Sequence, residues 1–268
     1  MRVLLPTDFS ENAALATQFA LDVARRTNGY ILALHAYDVP HYERSMTTSL
    51  LIEMKKVAEQ NMADFEQENL TNSGIKYDSH VMLGNPIRLS REMVHKHNLD
   101  LVVMGTKGAS GLEELLIGSN AASVIHNVDV PVLVVPPSSV VKEIKRIVLA
   151  TDLEFKNKKP PLQALAKFAR AYGAEVFLLH IQDEDGIPGG TRELIAEAMG
   201  DVKHTYHIAS QKEDIEATIL DFCEEKETDI VSAISKRYGF FQGLFHKSLT
   251  SKLAYHSRIP LLALHEPK

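Results

Sequence analysis

The chain has 268 residues, of which 45% are hydrophobic and 24% charged, with a formal net charge of −6. That balance suits a globular chain able to bury a core, and argues against a disordered one. Negative net charge without a long Lys/Arg block disfavours a nucleic-acid backbone or an anionic membrane as the main partner.

The first element is a short apolar strand over 2–6, which ends at once in Pro6-Thr7-Asp8. No secretory signal is visible in this opening. No later stretch approaches the roughly 18 apolar residues of a membrane span. A single cysteine, Cys223, excludes an intrachain disulfide. Together these predict a soluble, cytoplasmic protein.

Ser10 then caps a helix with Ala16, Phe19, Ala20 and Val23 on one face, closed by Gly29. A second strand follows over 30–36, and segment 38–48 has the composition of a loop, a candidate lid. Leu50, Leu51, Met54, Val57, Ala58, Met62 and Phe65 recur at helical spacing and predict a core-facing stripe. Strands are predicted over 76–82, 100–104 and 131–135, with helices between them. Strands alternating with helical patterns indicate βαβ units and a parallel sheet. Pro136-Pro137-Ser138-Ser139 reads as a linker, because a proline pair cannot continue a strand ladder.

After the linker the pattern repeats. Arg146 to Asp152 repeats Arg2 to Asp8 at an offset of 144, and the strand ending in His180 repeats the one ending in His35 at 145. Asp229-Ile230-Val231 repeats Asp100-Leu101-Val102, and Pro260-Leu261-Leu262 repeats Pro131-Val132-Leu133, both at 129. Four ordered matches define a tandem repeat. Pro160-Pro161 opens a second-copy helix carrying Leu162, Leu165, Phe168 and Tyr172, closed by Gly173. The predicted architecture is α/β: two tandem open parallel five-stranded sheets of strand order 3-2-1-4-5 with flanking helices. The expected domains are 1–138 and 144–268.

The chemistry concentrates after the fourth strand. Gly105-Thr106-Lys107-Gly108 is followed by Gly118-Ser119-Asn120, a G-x2-G-x9-G-S pattern. Glycines there would allow positive φ and close backbone approach. Their N–H groups form a nest for an anion, and a helix N-terminus follows. The pattern is neither a Walker loop nor G-x-G-x-x-G. In an open parallel sheet the ligand sits where strand order reverses, so Asp8 and the glycine loop should be neighbours. Asp8 would hydrogen-bond a ribose hydroxyl or help hold a metal; alternatively it caps the helix that opens near Ser10.

Pro6-Thr7-Asp8-Phe9-Ser10, combined with G-x2-G-x9-G-S before Pro131-Val132-Leu133-Val134-Val135, resembles the universal stress protein family. The resemblance covers the first half and, more faintly, the second. It implies an adenine-nucleotide α-hydrolase-like fold, a role in stress response, and ATP, alone or with Mg²⁺, as ligand. By resemblance, Pro6, Thr7 and Asp8 would lie near ribose or adenine, and Ala36 and Met104 would border the base. Gly105, Thr106, Gly108, Gly118, Ser119 and Asn120 would take the phosphates and ribose. The two halves would pair as an intrachain pseudo-dimer through their last strands, with a further homodimer or an unknown protein partner open.

In the second copy, Gly105, Gly108 and Gly118 are replaced by Ile234, Arg237 and Lys247, while Ser119 meets Ser248. A β-branched Ile234 would not tolerate positive φ. One ATP per chain is therefore expected, in the first domain. Aromatic residues of 238–245 are expected to fill the vacated cleft, to form a partner surface, or to be ordinary core. His204 and His207, three apart on a strand, face opposite sides and predict no metal centre. His35 and His180 read as hydrogen-bonded structural histidines, and Cys223 as an inert helix residue. Lys107 either reaches a phosphate or is solvated. The leading function is an ATP-binding regulator; a slow ATPase or phosphotransferase, and a nucleotide-free interaction module, are the alternatives. No catalytic base or arginine finger is recognisable.

Overall fold

The computed structural model describes residues 1–38, 48–106, 119–151, 153, 159–181, 189–210, 214–235 and 259–265. The first five strands are β1 (Arg2–Pro6), β2 (Tyr30–Tyr37), β3 (Lys76–Leu83), β4 (Leu101–Gly105) and β5 (Val132–Val135). The helices among them are α1 (Glu11–Arg26), α2 (Thr48–Asn69), α3 (Pro86–Lys96) and α4 (Ser119–Asn127). The second set is β6 (Arg146–Ala150), α5 (Lys159–Tyr172), β7 (Glu175–Ile181), α6 (Thr191–Met199), β8 (His204–Ala209), α7 (Ile215–Glu225), β9 (Ile230–Ser235) and β10 (Leu261–His265).

All ten strands join one sheet in the order β3-β2-β1-β4-β5-β10-β9-β6-β7-β8. Each half thus has the expected 3-2-1-4-5 order and is parallel throughout. The junction is the antiparallel pair β5–β10, with Leu262 opposite Leu133. An antiparallel seam between equivalent strands relates the halves by a local two-fold axis. The two five-stranded sheets are therefore continuous through their last strands. Among the described residues, no helix is long and apolar enough to cross a membrane.

β1 lies inside its half, so Val3, Leu4 and Leu5 are buried on both faces. Alternation sorts them: Val3 and Leu5 pack with Ala16, Phe19, Ala20 and Val23 of α1, whereas Leu4 packs with Leu32, Leu34, Met93 and Val124. The α1 side is shared by both halves, because Leu162, Leu165 and Phe168 of α5 belong to the same cluster. Across this seam Arg26 lies 4.6 Å over the Tyr172 ring, and Lys167 Nζ pairs with Asp100 Oδ1 at 2.6 Å.

Two sequence expectations need correction here. The apolar stripe of α2 buries only Ala58, Met62 and Phe65; Leu50 and Val57 are exposed, at 42% and 54%. The left-handed residue closing α1 is Asn28 (φ 46°), with Gly29 after it in ordinary φ. Gly29 is needed for closeness: a Cβ there would sit 2.3 Å from the Met1 carbonyl oxygen. In the second half Gly173 (φ 64°) takes the place of Asn28.

Candidate functional site

At the carboxyl end of β1 the chain makes one more ladder bond, Thr7 N–H to the Leu34 carbonyl at 2.9 Å, and then turns sharply. Thr7 Oγ1 accepts from the Phe9 amide at 3.1 Å, and Phe9 adopts φ 64°. That conformation is unusual for an aromatic residue and persists only where neighbours enforce it. The neighbours are the His35 ring at 4.3 Å and the Phe65 ring at 5.9 Å. His35 Nδ1 is itself 2.9 Å from the Thr7 carbonyl oxygen.

The second half repeats this turn. Thr151 N–H donates to Leu179, Thr151 Oγ1 accepts from Leu153, Leu153 has φ 55°, and His180 Nδ1 lies 3.0 Å from the Thr151 carbonyl oxygen. A feature present in both halves, including the one without the glycine motif, belongs to the fold. His35 and His180 are thus hydrogen-bonded structural histidines, as expected.

Asp8 is half-buried, and its Oδ1 accepts from the Ser10 amide at 3.1 Å and the Ser10 hydroxyl at 2.7 Å. Ser10 is the N-cap of α1 and accepts from Ala13 N–H at 3.2 Å. Asp8 therefore braces the cap instead of being it.

β4 lies directly beside β1, so the Asp8 turn and the start of the glycine segment are brought together. Thr106 N–H extends the β4–β5 ladder to the Val135 carbonyl at 3.2 Å. Met104 and Ala36 belong to one apolar cluster on the α3 and α4 side, and alternation from Leu4 puts Pro6 on that same side. Met104 is buried and Ala36 half-buried. Asn120 is exposed near the start of α4, whose backbone begins at Ser119. Lys107, Gly108 and Gly118 lie outside the described residues, as do residues 39–47 of the candidate lid over 38–48, Asp152, Arg237, Lys247, Ser248 and the aromatic segment 238–245.

The reading of Gly105 needs correction. Gly105 is a strand residue without positive φ, so backbone freedom is not why it is glycine. A Cβ there would lie 2.6 Å from Asn12 Oδ1 and 2.7 Å from Asn12 Cγ. The buried amide of Asn12, from the first turn of α1, occupies that space. Its Nδ2 donates to the Val135 carbonyl at 3.0 Å, and its Oδ1 accepts from Thr106 Oγ1 at 3.4 Å. Asn12 was missed in the sequence; the repeat gives only an indirect sign, since the 129 offset puts Ile234 at the place of Gly105. Ile234 is likewise an ordinary buried strand residue, so what differs there is side-chain volume, not backbone angle.

The histidine pair of β8 is structural. His204 Nδ1 is 2.9 Å from the Val202 carbonyl oxygen, and His207 Nε2 is 3.0 Å from Thr205 Oγ1 with Phe177 and Phe222 rings about it. Burial pushes the His207 pKa down. Cys223 is fully buried in α7, and burial raises its thiol pKa to about 12, so it carries no nucleophilic thiolate at neutral pH.

Over residues 1–136, half of the chain, the sequence matches the universal stress protein family. The chain belongs to that family. A universal stress protein of Methanocaldococcus jannaschii is 31% identical over 137 residues, covering 50% of this chain and 81% of the relative. The crystal structure of a universal stress protein from Archaeoglobus fulgidus covers 100% of this chain and 97% of its own at a TM-score of 0.74 and 22% identity, which shows a shared fold through both halves. A further universal stress protein, solved in complex with cAMP, covers 50% of this chain and 96% of its own at 22% identity and a TM-score of 0.38. The parallel sheet with flanking helices is the fold of this family.

Proposed function

We propose that this universal stress protein is an ATP-binding regulator of a stress response, with one nucleotide per chain held by a first domain over 1–138. In this reading the second domain, 144–268, binds no nucleotide and supports packing or a partner. The observation that carries it is the contrast between equivalent strand ends. Both halves share the Thr-His turn, but only the first ends its fourth strand in glycine, where the second has Ile234.

The residues present suit an adenine nucleotide. Ala36 and Met104 offer a small apolar patch for a base on one side of the sheet. Asp8 is a carboxylate at the adjoining turn, suited to ribose hydroxyls, beside Pro6 and Thr7. Gly105 and Thr106 lead into Gly108 and Gly118, whose amides, with Ser119 and Asn120 at the start of α4, would take phosphates. ATP, alone or with Mg²⁺, would be bound at the carboxyl ends of β1 and β4, the switch point of the sheet.

Titration with labelled ATP, followed by product analysis over hours, tests this. Saturable binding at one nucleotide per chain without turnover supports the regulator. Stoichiometric turnover would make it an enzyme, and no binding would leave an interaction module. Gly108→Ile, copying the loss of glycine in the second half, should abolish binding; unchanged affinity would sink the site assignment.

A further inference from the structure

Asn12 is a buried polar residue on α1 that no sequence motif accounts for. Its side chain bridges three points: the Val135 carbonyl at the end of β5, the Thr106 hydroxyl just past β4, and the Cα of Gly105, against which it packs. It lies four residues after Asp8 and two after the Ser10 cap, so it is rigidly joined to the turn that holds Asp8. Thr106 is the last described residue before the glycine segment and is itself only 3% exposed. One side chain therefore ties the Asp8 turn to the root of that segment.

We infer that Asn12 is the positioning residue that sets where the glycine segment leaves the sheet relative to Asp8, and so sets affinity for the phosphates of the nucleotide. The inference rests on the ATP-binding reading above. Asn12 does not touch the ligand: it lies beneath the strand ends, on the α1 side, whereas Ala36 and Met104 line the opposite side. Asn12 and Gly105 form a matched pair. The amide occupies the volume that any side chain at 105 would need, and the second half has Ile234 at the place of Gly105.

This role differs from plain structural support in what it does to ligand preference. Loss of the bridge frees the root of the glycine segment, and with it the phosphate contacts, but leaves the Ala36–Met104 side and the Asp8 turn in place. Removing the 3.0 Å bond to Val135 and the long 3.4 Å bond from Thr106 should weaken ATP binding about tenfold. Adenosine, which has no phosphates, should keep its affinity to within about twofold.

The test is calorimetric titration of the full chain with ATP and with adenosine, for wild type and Asn12→Ala, with melting curves recorded alongside. The expected result is a ratio of ATP to adenosine affinity that falls about tenfold in the variant. Equal loss for both ligands, or no loss for either, would overturn the assignment and leave Asn12 as a core residue. Asn12→Ser, which is smaller but still polar, serves if the alanine variant does not fold, and should lower the same ratio. Wild type that binds no ATP overturns the functional reading and this inference together. Wild type that binds ATP, with a ratio unchanged in the variants, overturns the role of Asn12 alone.

Discussion

Gly105→Ala tests the packing account of this glycine independently of any ligand. The new Cβ would lie 2.6 Å from Asn12 Oδ1, 2.7 Å from its Cγ and 3.1 Å from its carbonyl oxygen. To restore ordinary van der Waals separation the amide must retreat by roughly 0.8 Å. A shift of that size is enough to break the 3.0 Å bond from Nδ2 to Val135. Lost hydrogen bonding of about 1 kcal/mol and residual overpacking of similar size give a cost of about 2 kcal/mol. For a chain of this length that lowers Tm by roughly 4–8 °C. In an Asn12→Ala background the amide is absent and only the 3.1 Å approach to the backbone carbonyl oxygen of residue 12 remains, so Gly105→Ala should cost about 1 kcal/mol, leaving a coupling of about 1 kcal/mol in the cycle. Gly189→Ala is the control: its Cβ meets nothing within 4 Å, and the substitution should be neutral or stabilising by about 0.5 kcal/mol. Denaturant melts of the four cycle members and the control measure all of this. Additive losses in the cycle, or a Gly105→Ala variant as stable as the control, would refute the reasoning.

Two more predictions concern the frame. Asp229 is 8% exposed, and its carboxylate accepts from the amides of Lys145 at 2.7 Å and Arg146 at 3.0 Å while pairing with Lys142 at 2.6 Å. Asp229→Ala leaves two amides without that acceptor and should cost about 3 kcal/mol in urea melts. The equivalent Asp100→Ala, with one such amide and a more exposed carboxylate, should cost less, and the reverse order would be wrong for this account. Stability should also fall as pH drops below about 6.5. Burial lowers the pKa of His207, facing Lys226, Glu175 and Glu225, and of His97, facing His80, Lys96, Arg2 and Asp78. The unfolded chain then takes up protons that the folded chain refuses, so the loss begins at the unfolded pKa and stops once pH passes below the folded values. A His97→Gln/His207→Gln variant should show a shallower dependence of its melting midpoint between pH 7.5 and 5; an unchanged slope would count against it.

The tandem repeat, the parallel strand order and the adjacency of the Asp8 turn to the end of β4 were legible in the residues. Short-range rules carry them: β-rich runs, helical spacing, a proline pair at the linker, and glycines after a strand. The Ser10 cap and the faces of α1 and α5 follow from the same local periodicity. Less legible was the reason behind individual residues. Asn28 and Phe9 take the positive φ that the sequence reading reserves for glycine, because their neighbours, not their intrinsic preference, fix the turn. The N-terminal half of α2 has a core-like stripe, yet Leu50 and Val57 are exposed, and periodicity cannot report what lies opposite.

The sequence by itself determined that the chain is two copies of one unit and that one copy lacks the motif glycines Gly105, Gly108 and Gly118, since both facts are internal comparisons between residues. Only the tertiary structure decided the antiparallel register of β5 and β10, with Leu262 opposite Leu133, and that Gly105 is glycine because Asn12, 93 residues away, lies on its Cα. Those facts depend on which distant groups meet, and close packing across long chain separations leaves no periodic trace in sequence.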